Sequence, residues 1–282
     1  MKKIVLVSKE WSPQDKSGLG YASSNHENIL KEINANVVTI GLKKHDKDEF
    51  IDIKNLFHFL LNFKRIFKKV DFILEKNKPN IVMVESLQTI ISEVFLLRAF
   101  KKNIKSTIIS HGISIYPYTN SIKYILRFLI WLPYIFFLKK IIKKISFFIS
   151  LDTNSPNHRN YDTKIAKKIS KEIITYNNFS RFENIKKNID LNTSNEKVIL
   201  CIGYINHIKN QIDLIKLSKS LKNINVKIKI IYNNYDKNYL DKLITKIEEN
   251  NLQNIMLCLD KDVILEDEIL KSWLLINTSI TE

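Results

Sequence analysis

The residues best suited to chemistry stand where short apolar runs end. The run at 198–202 is followed by Gly203-Tyr204-Ile205-Asn206-His207-Ile208-Lys209, and helical spacing resumes at Ile212, Leu214, Ile215 and Leu217. A strand, a glycine, a short loop and a lysine opening a helix would set an ammonium group beside unpaired backbone N–H donors. That combination suits a diphosphate. Ser110-His111-Gly112 closes an earlier apolar run, and Ser17-Gly18-Leu19-Gly20-Tyr21 follows the first one, ahead of a helix expected from about Ser23. The chain has only five glycines, and Gly18, Gly20, Gly41, Gly112 and Gly203 all fall at or beyond such run ends. Glycine there lets a backbone approach a ligand; it is also the ordinary residue of a strand-to-helix turn, and for one glycine alone the second reading is the simpler. His111 likewise reads as a site residue or as a cap or satisfied core histidine.

The elements that must hold these residues follow from hydrophobic spacing. Apolar, β-branched runs occur at 4–7, 37–40, 81–84, 107–109, 145–149 and 173–175, then at 198–202, 226–231, 255–259 and 273–276. Amphipathic stretches separate them, as with Leu240, Leu243, Ile244 and Ile247. Buried strands alternating with amphipathic helices predict an α/β protein with parallel sheets covered on both faces. The polar stretch 180–196 divides the pattern into an N-terminal Rossmann-like domain at 1–179 and a second domain at 197–282. The second series has few strands and ends soon after one of them, so the second domain is expected to be incomplete.

Composition narrows the class. The chain carries a net charge of +16 over 282 residues, with 45% apolar and 10% aromatic side chains, as folded proteins do. Residues 1–190 hold 33 basic and 17 acidic side chains, whereas from 191 onward twelve lysines meet twelve acids. A neutral domain is therefore joined to a strongly basic one, which implies an anionic partner. Cys201 and Cys258, in separate apolar runs, read as buried free thiols of a reducing compartment, with a disulfide as the minor alternative. The first run is broken by Lys9 and Glu10 and is too short for an export signal.

The segment 122–148 is aromatic and basic. Its apolar stretch between Lys123 and Lys139 would span about 22 Å as a helix, short of the ~30 Å hydrocarbon core of a bilayer. A helix lying in the membrane interface fits, with Arg127, Lys139, Lys140, Lys143 and Lys144 meeting anionic headgroups; a buried helix with a solvated lysine face fits the pattern equally. Clusters such as Lys64-Arg65-x-x-Lys68-Lys69 have the charge for nucleic acid, but no helix-turn-helix, zinc or RNP-type signature accompanies them.

Taken in order, these motifs resemble family 4 glycosyltransferases, the two-domain GT-B type that transfers sugar from nucleotide diphosphates with retention. Ser17-Gly18-Leu19-Gly20 resembles that family's glycine-rich first loop, and Ser110-His111-Gly112 its strand end with an active-site histidine. Tyr176-Asn177-Asn178 resembles the turn leading to the second domain. The stretch from Gly203 to Lys209-Asn210 is similar to the phosphate-binding loop, and Ser279-x-x-Glu282 to the opening of the E-x7-E motif. The resemblance implies that Lys209 neutralises the donor diphosphate, that Gly18, Gly20, Gly203, Tyr204 and Glu282 contribute to donor binding, and that His111 faces the reacting sugar. It implies a nucleotide sugar as co-substrate, no metal or other cofactor, a glycan or lipid-linked acceptor, and work at the cytoplasmic membrane face in cell-envelope polysaccharide or lipopolysaccharide synthesis. Two departures stand out. Tyr204 replaces an arginine of the loop, and the family's second glutamate has no counterpart. A catalytically incompetent remnant that folds and holds to membrane is therefore the alternative.

Overall fold

The computed structural model describes residues 2–12, 17–42, 48–112, 122–151, 160–169, 171–176, 197–221 and 223–279, with the side chains of 122–132 outside that description. The chain divides into two compact units, Met1–Phe179 and Ser180–Glu282. The expected connection at 180–196 lies outside the described residues.

The first unit contains β1 (Lys3–Val7), α1 (Gly18–Glu32), β2 (Asn36–Gly41), β3 (Glu49–Phe50), α2 (Leu56–Asn77), β4 (Ile81–Glu85), α3 (Ile91–Lys101), β5 (Lys105–Ser110), α4 (Ile122–Lys144), β6 (Phe147–Leu151), α5 (Tyr161–Lys168) and β7 (Ile173–Tyr176). Its seven strands run in the order β3-β2-β1-β4-β5-β6-β7, and every pairing is parallel. The central strands β1 and β4 are apolar on both sides because helices cover both faces. Val5, Val7, Val82, Val84 and Ile108 enter one cluster with Ile73, Phe95 and Leu138, while Ile4, Leu6, Met83 and Ile109 pack around Trp11 on the other face. Strand order reverses between β1 and β4. Open α/β sheets receive ligands beyond the carboxyl ends of the strands at such a point.

The second unit contains β8 (Lys197–Ile202), α6 (Asp213–Ser220), β9 (Val226–Tyr232), α7 (Lys237–Glu249), β10 (Ile255–Leu259), α8 (Leu265–Lys271) and β11 (Leu274–Leu275). Its sheet is also parallel, in the order β10-β9-β8-β11. Cys201 is buried, Cys258 half-buried, and both are free thiols.

Two local expectations are corrected. The first helix starts at Gly18 rather than near Ser23, because Ser17 caps it: its Oγ accepts from Gly20 N at 2.9 Å. The helix of the second unit starts at Asp213 rather than at Lys209, which sits in the preceding turn.

Candidate functional site

Three segments of the first unit converge at the switch point. Glu85 is the last residue of β4 and is completely buried. His26 lies on α1, the helix that follows β1, and His111 lies just beyond β5. His26 Nδ1 is 2.8 Å from Glu85 Oε1, and His111 Nε2 is 2.8 Å from Glu85 Oε2. Burial by itself would raise the Glu85 carboxyl. The hydrogen bonds and charges of His111 and His26 outweigh it and hold the group below its ordinary range, so Glu85 is an ionised acceptor. An ionised carboxylate only accepts, which puts a proton on His26 Nδ1 and on His111 Nε2.

Tyr176, at the end of β7, brings its ring edge to His26 at 5.3 Å between centroids. Its hydroxyl is buried and has no partner among the described residues. Burial and the charge of Glu85 both push that hydroxyl up, so it stays protonated. A buried hydroxyl without a partner is costly unless a ligand or water completes it.

The loop bearing His111 is tightly determined. Gly112 has φ +88°, and a Cβ there would fall 2.1 Å from Asn160 Oδ1, so only glycine fits. Gly112 N donates to Ser110 Oγ at 3.1 Å, and Ser110 Oγ donates to the buried Asp162 Oδ2 at 2.5 Å. Behind Glu85, the loop to α3 has positive φ at Ser86, Gln88 and Ile90. Glu93 pins it: Oε1 accepts from Gln88 N and from the Tyr134 hydroxyl, each at 2.6 Å. Backbone strain of this kind gathers at functional sites.

One ring nitrogen of His26, one of His111 and a Glu85 oxygen lie within 4.8 Å of one another and are atom types that ligate metals. At 2.8 Å each, the two histidine contacts to Glu85 are hydrogen bonds.

In the second unit, Gly203 follows β8 with φ +150°. The 203–209 loop then folds on itself rather than presenting its donors. Asn206 Oδ1 accepts from Ile208 N at 3.0 Å and from Lys209 N at 2.9 Å, so these N–H groups are not aimed at a ligand as expected. Gln211 is buried and donates Nε2–H to Tyr204 O at 2.9 Å, which fixes the Tyr204 backbone. Thr278 Oγ1 donates to Lys209 O at 2.6 Å and ties the segment after β11 to the loop. Burial pushes the Cys201 thiol up, opposed by a Thr278 hydrogen bond and by the nearby Lys209 charge.

Of the residues singled out from sequence, His111 joins the triad and Gly18 and Gly20 form the first turn of α1, where Gly20 N is taken by Ser17. Gly203, Tyr204 and Lys209 share the second unit's loop, and Glu282 lies outside the described residues. The side chain of Arg127 also lies outside them. Lys139, Lys140, Lys143 and Lys144 are exposed, but Leu138, Ile141 and Ile142 between them are buried in the core. The apolar side of these turns is thus spent on the protein and is not available to lipid.

Sequence reasoning overlooked His26 and Glu85. A lone acid closing the apolar strand Ile81-Val82-Met83-Val84-Glu85 was the available signal, since a carboxylate at that edge requires a cationic or hydrogen-bonding partner.

No protein-family profile matches the sequence, and no curated protein is significantly similar to it. Solved structures do match its fold. A glycosyltransferase from Rickettsia africae superposes with a TM-score of 0.68 at 18% identity, covering 99% of this chain and 73% of that one. The catalytic domain of starch synthase IV from Arabidopsis thaliana, bound to ADP and acarbose, gives 0.67 at 12% identity over 100% and 79%. A lipopolysaccharide outer core galactosyltransferase gives 0.63 at 15% identity over 99% and 75%. The chain has the α/β fold of GT-B glycosyltransferases, with Rossmann-like parallel sheets.

Proposed function

We propose that this protein is a glycosyltransferase of the family 4 type, which transfers sugar from a nucleotide diphosphate with retention during cell-envelope polysaccharide or lipopolysaccharide synthesis. The observation that carries the reading is the His26–Glu85–His111 cluster, with the Tyr176 hydroxyl that has no partner among the described residues, at the ligand-binding edge of a sheet with this fold. Neighbours of the same fold bind ADP or are galactosyltransferases of lipopolysaccharide, which supports the substrate class.

In this reading the anomeric C–O bond breaks with its electron pair leaving on the diphosphate. The acceptor oxygen forms the new bond, and its proton passes to the departing phosphate. Lys209 neutralises the charge that develops on the leaving group. His111 has its Nε2–H committed to Glu85, so its Nδ1 is the nitrogen left to meet a sugar hydroxyl. The carboxylate behind the ring raises the electron density at Nδ1, and that negative end of the ring favours an electron-poor anomeric carbon nearby. The nucleotide sugar is a co-substrate, and neither a metal nor another cofactor takes part in this scheme.

The test is a panel of nucleotide-diphosphate sugars offered to the full chain, with calorimetry for binding and release of nucleoside diphosphate for turnover. Binding of one donor, with turnover abolished by His111→Ala and affinity reduced by Lys209→Ala, is expected. Failure of every donor to bind at millimolar concentration would reject the reading.

A further inference from the structure

The outer face of α2 is built the wrong way round for a helix in water. Its 22 residues extend about 33 Å. The five-residue β4 it leads into extends only about 16 Å. In a parallel sheet a crossover helix starts at the carboxyl edge of the strands and runs back along them. The excess length of α2 therefore overhangs that edge, the same edge that carries Glu85 and His111. The fully buried positions agree with this, since they begin only at Ile66 and continue through Val70, Ile73 and Leu74.

The first two turns keep Phe59 against the core but leave their outer apolar side chains exposed. Phe57 is 70% exposed, Leu60 57% and Leu61 69%, and the three share one side of the helix at i, i+3 and i+4. The next turns on that side carry Lys64, Arg65 and Lys68, all exposed. Lys54 is exposed just before the helix. Apolar side chains ringed by cations, on a unit that holds nearly all of the chain's excess of positive charge, are complementary to a surface that is apolar within and anionic outside.

We propose that the first two turns of α2 dock on an anionic lipid bilayer, with Phe57, Leu60 and Leu61 entering the headgroup boundary and Lys64, Arg65 and Lys68 binding lipid phosphates. This contact is distinct from the lysine face of α4 and does not depend on the glycosyltransferase reading. It would hold the carboxyl edge of the first sheet toward the membrane, where a lipid-linked substrate would be met.

Sedimentation with vesicles tests it. The full chain should bind vesicles of phosphatidylcholine with about 30% phosphatidylglycerol and bind pure phosphatidylcholine far more weakly. Each cation near such a surface contributes about fivefold in partitioning, so K64Q/R65Q/K68Q should weaken binding on the order of a hundredfold. F57S/L61S should weaken it at least about tenfold, because burying those side chains supplies the apolar part. Both sets of positions are exposed, so the variants should keep the wild-type circular dichroism. K139Q/K140Q/K143Q/K144Q should weaken binding by less than the α2 triple variant. Wild-type protein that ignores anionic vesicles overturns the proposal, as does binding unchanged by both α2 variants. Self-association that F57S/L61S abolishes, without vesicle binding, would assign the face to a second copy instead.

Discussion

His26 and His111 donate to opposite oxygens of one carboxylate, that of Glu85, and so two rings from distant segments are oriented by a single buried charge. Glu85→Gln keeps the shape but offers one acceptor and one donor in place of two acceptors. One of the two histidines must then turn over or change tautomer. We expect turnover to fall about a hundredfold with donor affinity nearly unchanged, and the nitrogen chemical shifts of one imidazole to report the tautomer change. Unchanged imidazole shifts in the folded variant would show that Glu85 does not set the histidine tautomers.

The same residue sets a pH dependence. Its folded carboxyl titrates below its ordinary value of 4.5, so the folded state binds fewer protons than the unfolded chain there. The stabilisation is complete above 4.5 and is lost as pH falls through the lower folded value. Protection of the β4 and β5 amides against hydrogen exchange, measured relative to the slower intrinsic exchange in acid, should fall over that acid window in the wild type. In Glu85→Gln the dependence should be shallower, from a lower starting stability. An identical slope in both would remove Glu85 from this role.

Gly112→Ala tests the loop that presents His111. A positive φ costs alanine about 1–2 kcal/mol, and displacing Asn160 adds about 1–3 kcal/mol of overpacking. Adding Asn160→Ala should restore the steric part of the loss and leave the conformational part. Unfolding followed through the first unit's amides measures both, since a chain of two units need not unfold in one step. No destabilisation in the single variant would contradict the loop geometry.

Lys209→Ala should weaken nucleotide-diphosphate binding by roughly ten- to a hundredfold, the loss of a charge-assisted hydrogen bond of about 1.5–3 kcal/mol. Calorimetry reads it directly. Thr278→Val removes the bond to Lys209 O and should act in the same direction more weakly. Equal affinity in wild type and Lys209→Ala would take the lysine out of the donor site.

The strands were legible because they are buried on both faces and so appear as unbroken apolar runs, as in Val198-Ile199-Leu200-Cys201-Ile202. β3 escaped notice because two edge residues, Glu49 and Phe50, make no run. His111 and Lys209 were visible because each follows a strand and stands by glycine or a turn. His26 was not, since a polar residue on the helix Gly18–Glu32 reads as surface until the fold turns it toward Glu85. The same limit applies to α4 and α2. Apolar content singled out the former, whereas only the lengths of helix and strand reveal that the latter overhangs its sheet.

The contact at Glu93 has a mechanical consequence. Its Oε1 holds the Tyr134 hydroxyl of α4 and the Gln88 N–H of the loop next to Glu85, while Glu93 itself belongs to α3. Two helices and a strained loop are thus geared through one atom. A displacement of α4 along α3 must be transmitted to the turn that carries the shared carboxylate, so the histidines are coupled to the outer layer of the domain as well as to each other.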